Sequence, residues 1–110
     1  MSDLSPEAKS KLEVLRQEYI LDLPVKVEVL EKCWNSNELE TLRMECHKIA
    51  GSSASFGLPD ISFAAKTLEA LCKTRIEHRR AAISNIKDDK TLQDGFTVLL
   101  EALNKHRIEA

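Results

Sequence analysis

The chain has 110 residues, the length of one ordinary domain with a single hydrophobic core. Its composition, 43% hydrophobic and 31% charged, is that of a globular protein and excludes a disordered or fibrous chain. The 16 basic and 18 acidic side chains leave a net charge of −2, which does not favour binding to nucleic acid or to a membrane. We therefore expect the partner to be another protein or a small ligand.

No part of the sequence is typical of export or membrane insertion. The longest apolar runs, such as residues 96–100, are far shorter than the roughly 20 residues of a spanning helix. The first residues lack the basic and apolar regions of a signal peptide. We therefore expect a cytoplasmic protein.

The three cysteines, Cys33, Cys46 and Cys72, are odd in number and widely spaced. This spacing argues against a disulfide framework and against a zinc site. Cys46 precedes His47, but adjacent residues on a helix point about 100° apart, which argues against a metal-binding pair. We expect the three thiols to be buried in the core.

Helical periodicity begins near the N-terminus. Ser5 is a suitable N-cap, and apolar residues recur at helical spacing at Leu12, Leu15 and Tyr19. A second apolar series continues past Pro24, which removes a backbone donor and should kink or divide the helix. This series consists of Ile20, Leu23, Val27, Leu30 and Trp34. Of the two alternatives, we favour a single kinked helix that ends near Trp34.

A second helix is predicted between a turn and a glycine. Residues 35–37 are typical of a turn, and Asn37 with Glu40 resembles a capping box, so this helix begins at about Glu38. Gly57 readily takes the left-handed conformation that ends a helix. The apolar positions between these limits are Leu39, Leu42, Cys46, Ile49, Ser53 and Phe56.

Two more helices follow in the C-terminal half. The third begins at residues 59–60, and its pattern extends as far as Ile76, Ile83 and Ile86 unless the charged run 73–80 ends it. The fourth has candidate caps in Asp88, Asp89 and Thr91 and ends near three cations, Lys105, His106 and Arg107. The apolar series are Ile61, Ala65, Leu68 and Cys72 in the third helix, and Leu92, Phe96, Leu99 and Leu103 in the fourth.

Four amphipathic helices with mostly short connections are expected to pack antiparallel to their neighbours in sequence. The predicted fold is all-α, an antiparallel up-down-up-down four-helix bundle with a kinked or divided N-terminal helix. No repeat, linker or low-complexity segment interrupts the chain. We therefore expect residues 1–110 to form a single domain.

The second helix contains a segment that local preferences disfavour. Residues 51–53, Gly-Ser-Ser, lie several residues before the expected helix end, where a glycine costs roughly 1 kcal/mol relative to alanine. Natural proteins tend to break such local rules at functional sites. This segment therefore marks the second helix as the place to expect a site.

His47 is the candidate reactive residue. At about 100° per residue it projects away from the apolar face of its helix, so we expect it to face solvent. Its neighbours combine small or apolar side chains with basic ones, an arrangement that lets a partner's backbone or a phosphate approach the imidazole. These neighbours are Arg43, Met44, Lys48, Ala50, Gly51 and Ala54.

Residues 47–57, HKIAGSSASFG, resemble the signature of histidine-containing phosphotransfer (HPt) domains of multistep phosphorelays. The segment Leu23-Pro24 before this motif is also similar to the family. So are five residues after it, Leu58, Ala64, Ala65, Leu68 and Glu69. The resemblance covers roughly residues 19–71, and beyond them only the number of helices agrees.

This resemblance implies a helical bundle that accepts a phosphoryl group from the aspartate of one response-regulator receiver domain and passes it to another. His47 would be phosphorylated, Gly51 would leave access to it, and Gly57 would end its helix. The implied partners are receiver domains and a hybrid sensor histidine kinase, and the receiver would supply the aspartate, a magnesium ion and a lysine. We expect a monomer with no cofactor of its own. Lys66 is a candidate for the docking face, although a solvated lysine is an equal alternative.

Ala50 departs from the family pattern. Many members have a lysine three residues after the histidine, where it helps to neutralise the phosphoryl group. In this chain Lys48 or Arg43 would have to reach back on a flexible stem, or the partner would have to supply the charge. The alanine at residue 50 therefore changes the expected charge around the phosphoryl group more than it affects the assignment of His47 as the acceptor.

The expected chemistry demands little of this chain. A neutral imidazole nitrogen offers a lone pair, and phosphoryl transfer depends mainly on positioning and electrostatic stabilisation. The sequence contains no GxxxxGK[ST] loop and no glycine-rich nucleotide motif, so we expect no ATP-dependent kinase activity. His78 and His106 lie in no such motif and are interpreted as solvated, and Gly95 has no assigned role.

Two other functions are compatible with a helical bundle. One is an adaptor that binds a receiver or a kinase without being phosphorylated, for which the absence of a lysine at Ala50 is the sequence argument. The other is a bundle that binds a metal or ligand, which would need inward-facing His, Glu or Asp side chains where this sequence has apolar ones. A free-standing relay protein and a segment of a hybrid kinase would look alike, and both stay open.

Overall fold

The computed structural model describes residues 5–78 and 85–107. Within these residues the chain forms five α-helices and one short 3-10 helix, and no strand. They are α1 (Pro6–Leu21), α2 (Leu23–Asn35), α3 (Leu39–Ser55), α4 (Pro59–Glu77), the 3-10 helix (Ile86–Asp88) and α5 (Lys90–His106). The predicted all-α class is confirmed. Among the described helices, none is both long enough and apolar enough to cross a membrane.

Helices α2 to α5 enclose the core. α3 packs along α4, α4 packs along α5, and α2 contacts both α3 and α5. α3 and α4 run antiparallel, since His47 meets Glu69 whereas Ala50 meets Ser62. Leucines from all four helices are fully buried, each worth roughly 1.5–3 kcal/mol. They include Leu30, Leu42, Leu68, Leu99 and Leu103.

The N-terminal segment is divided at Asp22, so the single kinked helix that we favoured is wrong. Pro24 is the second residue of α2 and has no N–H, so it cannot continue the hydrogen-bond pattern of α1. The Asp22 N–H closes α1 instead, by donating to the carbonyls of Glu18 and Tyr19 at 3.1 Å each. The second apolar series therefore belongs mainly to a helix of its own, which ends at Asn35.

Residues 6–18 of α1 are helical, as their spacing predicts, but their apolar residues do not join the core. Leu12 and Leu15 are 42% and 49% exposed, and Tyr19 is the first buried residue of this helix. Tyr19 packs on Phe56 at a ring distance of 4.9 Å, and Arg16 Nε donates to the Phe56 carbonyl. Helical spacing predicts which residues share a face, and the packing decides whether that face is covered.

The helix caps agree with the sequence at two of three sites. Ser5 Oγ accepts the Ala8 N–H at 3.1 Å, and Asp89 caps α5 through the N–H groups of residues 91 and 92. The predicted capping box at Asn37 is wrong. Asn37 lies outside α3 with a left-handed φ of 58°, and its Oδ1 accepts the Ile86 N–H at 2.8 Å. It therefore ties the α2–α3 turn to the 3-10 helix.

α4 ends at Glu77, so the helix does not continue to Ile86. Ile86 is buried but belongs to the 3-10 helix, and Ile83 lies outside the described residues. A Cβ on Gly95 would lie 3.0 Å from Leu71 Cδ1 and 3.3 Å from Leu68 Cδ1, so a larger residue would require the ends of these α4 side chains to shift. α5 therefore packs closely on α4 at Gly95.

Side-chain contacts to an aspartate join α4 to α5 at both ends, an ion pair at one end and a histidine–carboxylate hydrogen bond at the other. Arg75 binds the buried Asp89 through Nε and Nη2, and this hydrogen bond lowers the pKa of Asp89. At the other end, His106 Nε2 lies 2.8 Å from Asp60 Oδ2. Burial alone would raise the pKa of Asp60, but the hydrogen bond with His106 brings it below its ordinary value. The interpretation of His106 as solvated is therefore wrong, whereas His78 is exposed.

The three cysteines are buried and free, as predicted. Burial raises the pKa of the Cys72 thiol to about 12 and raises those of Cys46 and Cys33 as well. The thiols therefore serve as core packing groups.

Candidate functional site

α3 ends in a Schellman motif at Gly57. This glycine has a φ of 70°, its N–H donates to the Ala54 carbonyl, and the Leu58 N–H donates to the Ser53 carbonyl. α4 begins immediately afterwards at Pro59. The two helices consequently form a tight hairpin, in which residues at equal distance from the turn face each other.

Hydroxyl groups support the unusual segment 51–53 within α3. Ser53 Oγ donates to the Ile49 carbonyl, and Ser62 Oγ from α4 donates to the Ala50 carbonyl at 2.8 Å. Ser52 Oγ donates to the Lys48 carbonyl and lies 2.7 Å from the Tyr19 hydroxyl of α1. The small residues thus let α4 and α1 reach the backbone and hydroxyls of α3.

His47 lies on the solvent-facing side of α3, as predicted, with its side chain 73% exposed. Its Nδ1 atom is 2.7 Å from Oε2 of Glu69 on α4, whose side chain is 21% exposed. A carboxylate only accepts hydrogen bonds, so Nδ1 is assigned as the protonated nitrogen. The neutral ring then keeps its lone pair on Nε2.

Glu69 is the residue whose role the sequence reasoning missed, since it was named only for its resemblance to a family flank. Periodicity relates residues within one helix, whereas Glu69 is 22 positions from His47 and on the next helix. A usable signal was present, because these two residues are equally distant from the turn at Leu58. Helices joined by a tight turn bring such residues together.

The basic neighbours of His47 on its own helix are already paired. Arg43 Nε lies 3.5 Å from Glu40, and Lys48 Nζ lies 2.7 Å from Glu45. Both pairs join residues of α3 that are one turn apart. Neither cation is therefore held at the imidazole.

The small and apolar neighbours divide into two groups. Met44, Gly51 and Ala54 are exposed, and a Cβ built on Gly51 would meet no atom within 4 Å in the part of the chain that the structure describes. Ala50 is only 3% exposed, so the expectation that it lies on the surface beside His47 is wrong. It sits about 60° from His47 toward the core, and its carbonyl binds Ser62.

A shallow groove of about 430 Å³ lies between α3 and α4, on the Gly57 side of His47. Its lining residues are Ala54, Gly57, Pro59, Ser62, Phe63 and Lys66. Phe63 is 74% exposed, which is unusual for a large aromatic residue. The groove therefore brings the predicted residues Ala54 and Lys66 together with an apolar anchor.

No group of three or more His, Cys, Asp or Glu side chains in residues 5–78 and 85–107 is arranged to hold a metal ion. Cys46, which precedes His47, is fully buried in the core. The described part of the site consists of one imidazole, its carboxylate partner and a surface beside them.

Comparison with known protein families gives one match. The Hpt domain family matches residues 14–106, a range that contains the whole of α2, α3, α4 and α5 and the His47 site. The chain therefore belongs to the Hpt domain family, whose members carry phosphoryl groups in two-component phosphorelays. Searches of curated proteins and of solved structures found no match.

Proposed function

We propose that this chain is a histidine phosphotransfer protein that accepts a phosphoryl group on His47 from a receiver-domain aspartate and passes it to a second receiver. The observation that carries the proposal is the exposed imidazole, whose Nδ1 atom is bound by Glu69, together with the open space at Gly51, where a Cβ would meet no atom of the described residues within 4 Å. A structural histidine would need neither this orientation nor this open approach.

In the proposed reaction the Nε2 lone pair attacks the phosphorus of the aspartyl phosphate. The bond between phosphorus and the aspartate oxygen breaks, and the aspartate leaves as a carboxylate. The proton on Nδ1 stays in place, so the phosphorylated ring becomes a cation, and the Glu69 carboxylate at 2.7 Å stabilises it. The reverse sequence delivers the phosphoryl group to the next receiver.

The receiver is proposed to supply what this chain does not. A magnesium ion bound to the receiver's acidic residues would neutralise charge on the phosphoryl oxygens. This chain contributes a nucleophile and a docking surface, as a phosphocarrier without ATP-dependent kinase activity. We propose that Phe63 and the groove beside it form part of that docking surface, because an exposed aromatic anchor is typical of protein interfaces.

Several broader features complete the proposal. We propose that α2 to α5 run up-down-up-down and that residues 1–110 form one domain. A monomeric, cytoplasmic protein that binds receivers or a hybrid sensor kinase, and neither nucleic acid nor membrane, also remains a prediction.

The test is transfer from radiolabelled, phosphorylated receiver domains to the wild type and to His47→Gln. We expect label on the wild type alone, in an acid-labile and alkali-stable form, while calorimetry shows that both proteins bind the receiver. Binding without any labelling across a panel of receivers would refute the proposal and leave the adaptor function.

The role of Glu69 is tested separately. We expect Glu69→Ala to lower the transfer rate by about tenfold or more, because the imidazole loses the group that fixes its tautomer and stabilises its positive charge. Glu69→Gln, which keeps a hydrogen-bond acceptor, should retain more activity than Glu69→Ala. Equal rates in all three proteins would exclude a positioning role, and a change in the pH profile of transfer would distinguish that role from simple destabilisation.

A further inference from the structure

We propose that Lys66 of α4 is the residue by which this chain binds the phosphoryl oxygens on His47. The proposal rests on the proposed function, and it concerns how the negative charge of the phosphoryl group is neutralised. A phosphoryl group on Nε2 brings about two negative charges to a surface where Glu69 already carries one. A cation from the chain itself would stabilise both the phosphorylated state and the transfer.

The register of the α3–α4 hairpin places Lys66 beside the reactive ring. Two contacts define this register, His47 with Glu69 and the Ala50 carbonyl with Ser62. Lys66 lies between the two α4 partners, one turn from each, and therefore next to the stretch of α3 from His47 to Ala50. The rise from Lys66 to Glu69 is about 4.5 Å, which the flexible four-carbon stem of a lysine spans.

The surroundings of Lys66 leave its ammonium group available. Arg43 and Lys48 are held by acidic residues of α3, whereas Lys66 forms no salt bridge with any described residue. Lys66 is exposed and lines the groove, where its neighbours Ala54 and Gly57 are small. Its Nζ atom can thus move toward a phosphoryl group without first breaking an ion pair.

Lys73 provides a matched control on the same helix. It is exposed, lies one turn beyond Glu69, and also forms no salt bridge with a described residue. It lies on the opposite side of Glu69 from the groove, toward Arg43. Arg43 is near this part of α4, because its charge opposes the rise that burial causes in the pKa of Cys72, the residue before Lys73. Lys66→Ala and Lys73→Ala therefore each remove one positive charge within a turn of Glu69. They differ only in the side of Glu69 from which the charge is removed.

The experiment separates binding of the phosphoryl group from docking of the receiver. The wild type, Lys66→Ala, Lys66→Arg, Lys73→Ala and His47→Gln are phosphorylated with phosphoramidate, a small donor that needs no docking surface, and with a phosphorylated receiver domain. We expect Lys66→Ala to be labelled about tenfold more slowly by both donors and to lose its label at a different rate from the wild type. Lys66→Arg should retain most of the rate, and Lys73→Ala should stay within about twofold of the wild type.

Two outcomes would overturn the proposal. Equal phosphoramidate rates in the wild type and Lys66→Ala would limit Lys66 to receiver docking or to no role. An equal loss in Lys66→Ala and Lys73→Ala would show that general charge, and not position, matters. Normal folding of Lys66→Ala is checked by circular dichroism. Failure of the proposed function is distinguishable, because the wild type would then be labelled no faster than His47→Gln.

Discussion

Substitutions at Gly51 are expected to change the stability of the fold and the rate of phosphoryl transfer in opposite directions. Among residues 5–78 and 85–107, no atom lies within 4 Å of a Cβ built at this position, so we expect Gly51→Ala to cost nothing in packing. Alanine is favoured over glycine inside a helix by about 0.8–1.0 kcal/mol, and part of this gain comes from the smaller entropy of the unfolded chain. We expect Gly51→Ala to raise the free energy of unfolding by about 0.5–1 kcal/mol. In a domain of this size that is roughly 2–5 °C in Tm.

A longer side chain at the same position should stabilise the helix and impair function. Side chains on a helix point toward its N-terminus, so a methionine at residue 51 would cover the surface over His47, one turn earlier. Methionine is nearly as good a helix former as alanine, so Gly51→Met should unfold with about wild-type stability or higher. We expect its rate of phosphoryl transfer from a receiver to fall by about tenfold or more, because the approach to the imidazole is blocked.

Urea unfolding followed by circular dichroism measures the stability, and receiver-to-protein transfer of radiolabel measures the function. Thr41→Met is the matched control, since residue 41 is exposed on the same helix but points well away from His47. A destabilised Gly51→Ala would show that the glycine is needed by the fold. Transfer by Gly51→Met at the rate of Thr41→Met would refute the role of Gly51 in access.

Three further predictions concern stability and thiol reactivity. Asp89→Asn keeps the helix cap but loses the charge that binds Arg75, so it should lower the free energy of unfolding at pH 7 by about 2 kcal/mol. The native pKa of Asp89 is depressed, so this stabilisation is present above the unfolded pKa of about 3.9 and is lost as the pH falls through the native value. Gly57→Ala should cost about 1–2 kcal/mol because of the left-handed φ of 70°, and chemical denaturation measures it. The fully buried thiols of Cys46 and Cys72 should react with Ellman's reagent at pH 8 only when the protein is unfolded.

Each of these has a result that contradicts it. A stability difference between the wild type and Asp89→Asn that is unchanged from pH 7 to pH 2 would exclude the carboxylate as its cause. Gly57→Asn should be less destabilising than Gly57→Ala, because asparagine tolerates the left-handed region, and the reverse order would exclude backbone strain. Rapid reaction of the native thiols would show that the core opens under native conditions.

Much of the fold follows from local chemistry that is visible in the sequence. Ser5 and Asp89 cap their helices because their side chains accept N–H groups two or three residues away. Gly57 ends α3 because it takes a positive φ at little cost. The solvent-facing position of His47 follows from its angle to the apolar stripe of the same helix. Each of these inferences relates residues that are close together in the chain.

The remaining features depend on contacts between segments that are distant in sequence. Asn37 binds Ile86 instead of capping α3, and Leu12 stays exposed because its face of α1 is not buried in the bundle. The burial of Ala50 depends in the same way on the packing of α4 against α3.

The candidate site shows the same division between sequence and tertiary structure. From the sequence alone, His47 was predicted to face solvent with Gly51 one turn away, and Gly57 was predicted to end the helix, because these inferences depend on periodicity and backbone preference. The resemblance of residues 47–57 to the HPt signature then singled out His47 as the acceptor. Only the tertiary structure placed Glu69 at 2.7 Å from the imidazole and Lys66 in the groove beside it. Local energies determine which face of a helix a residue occupies, but the partner across an interface is decided by how the helices pack, and packing is a property of the whole chain.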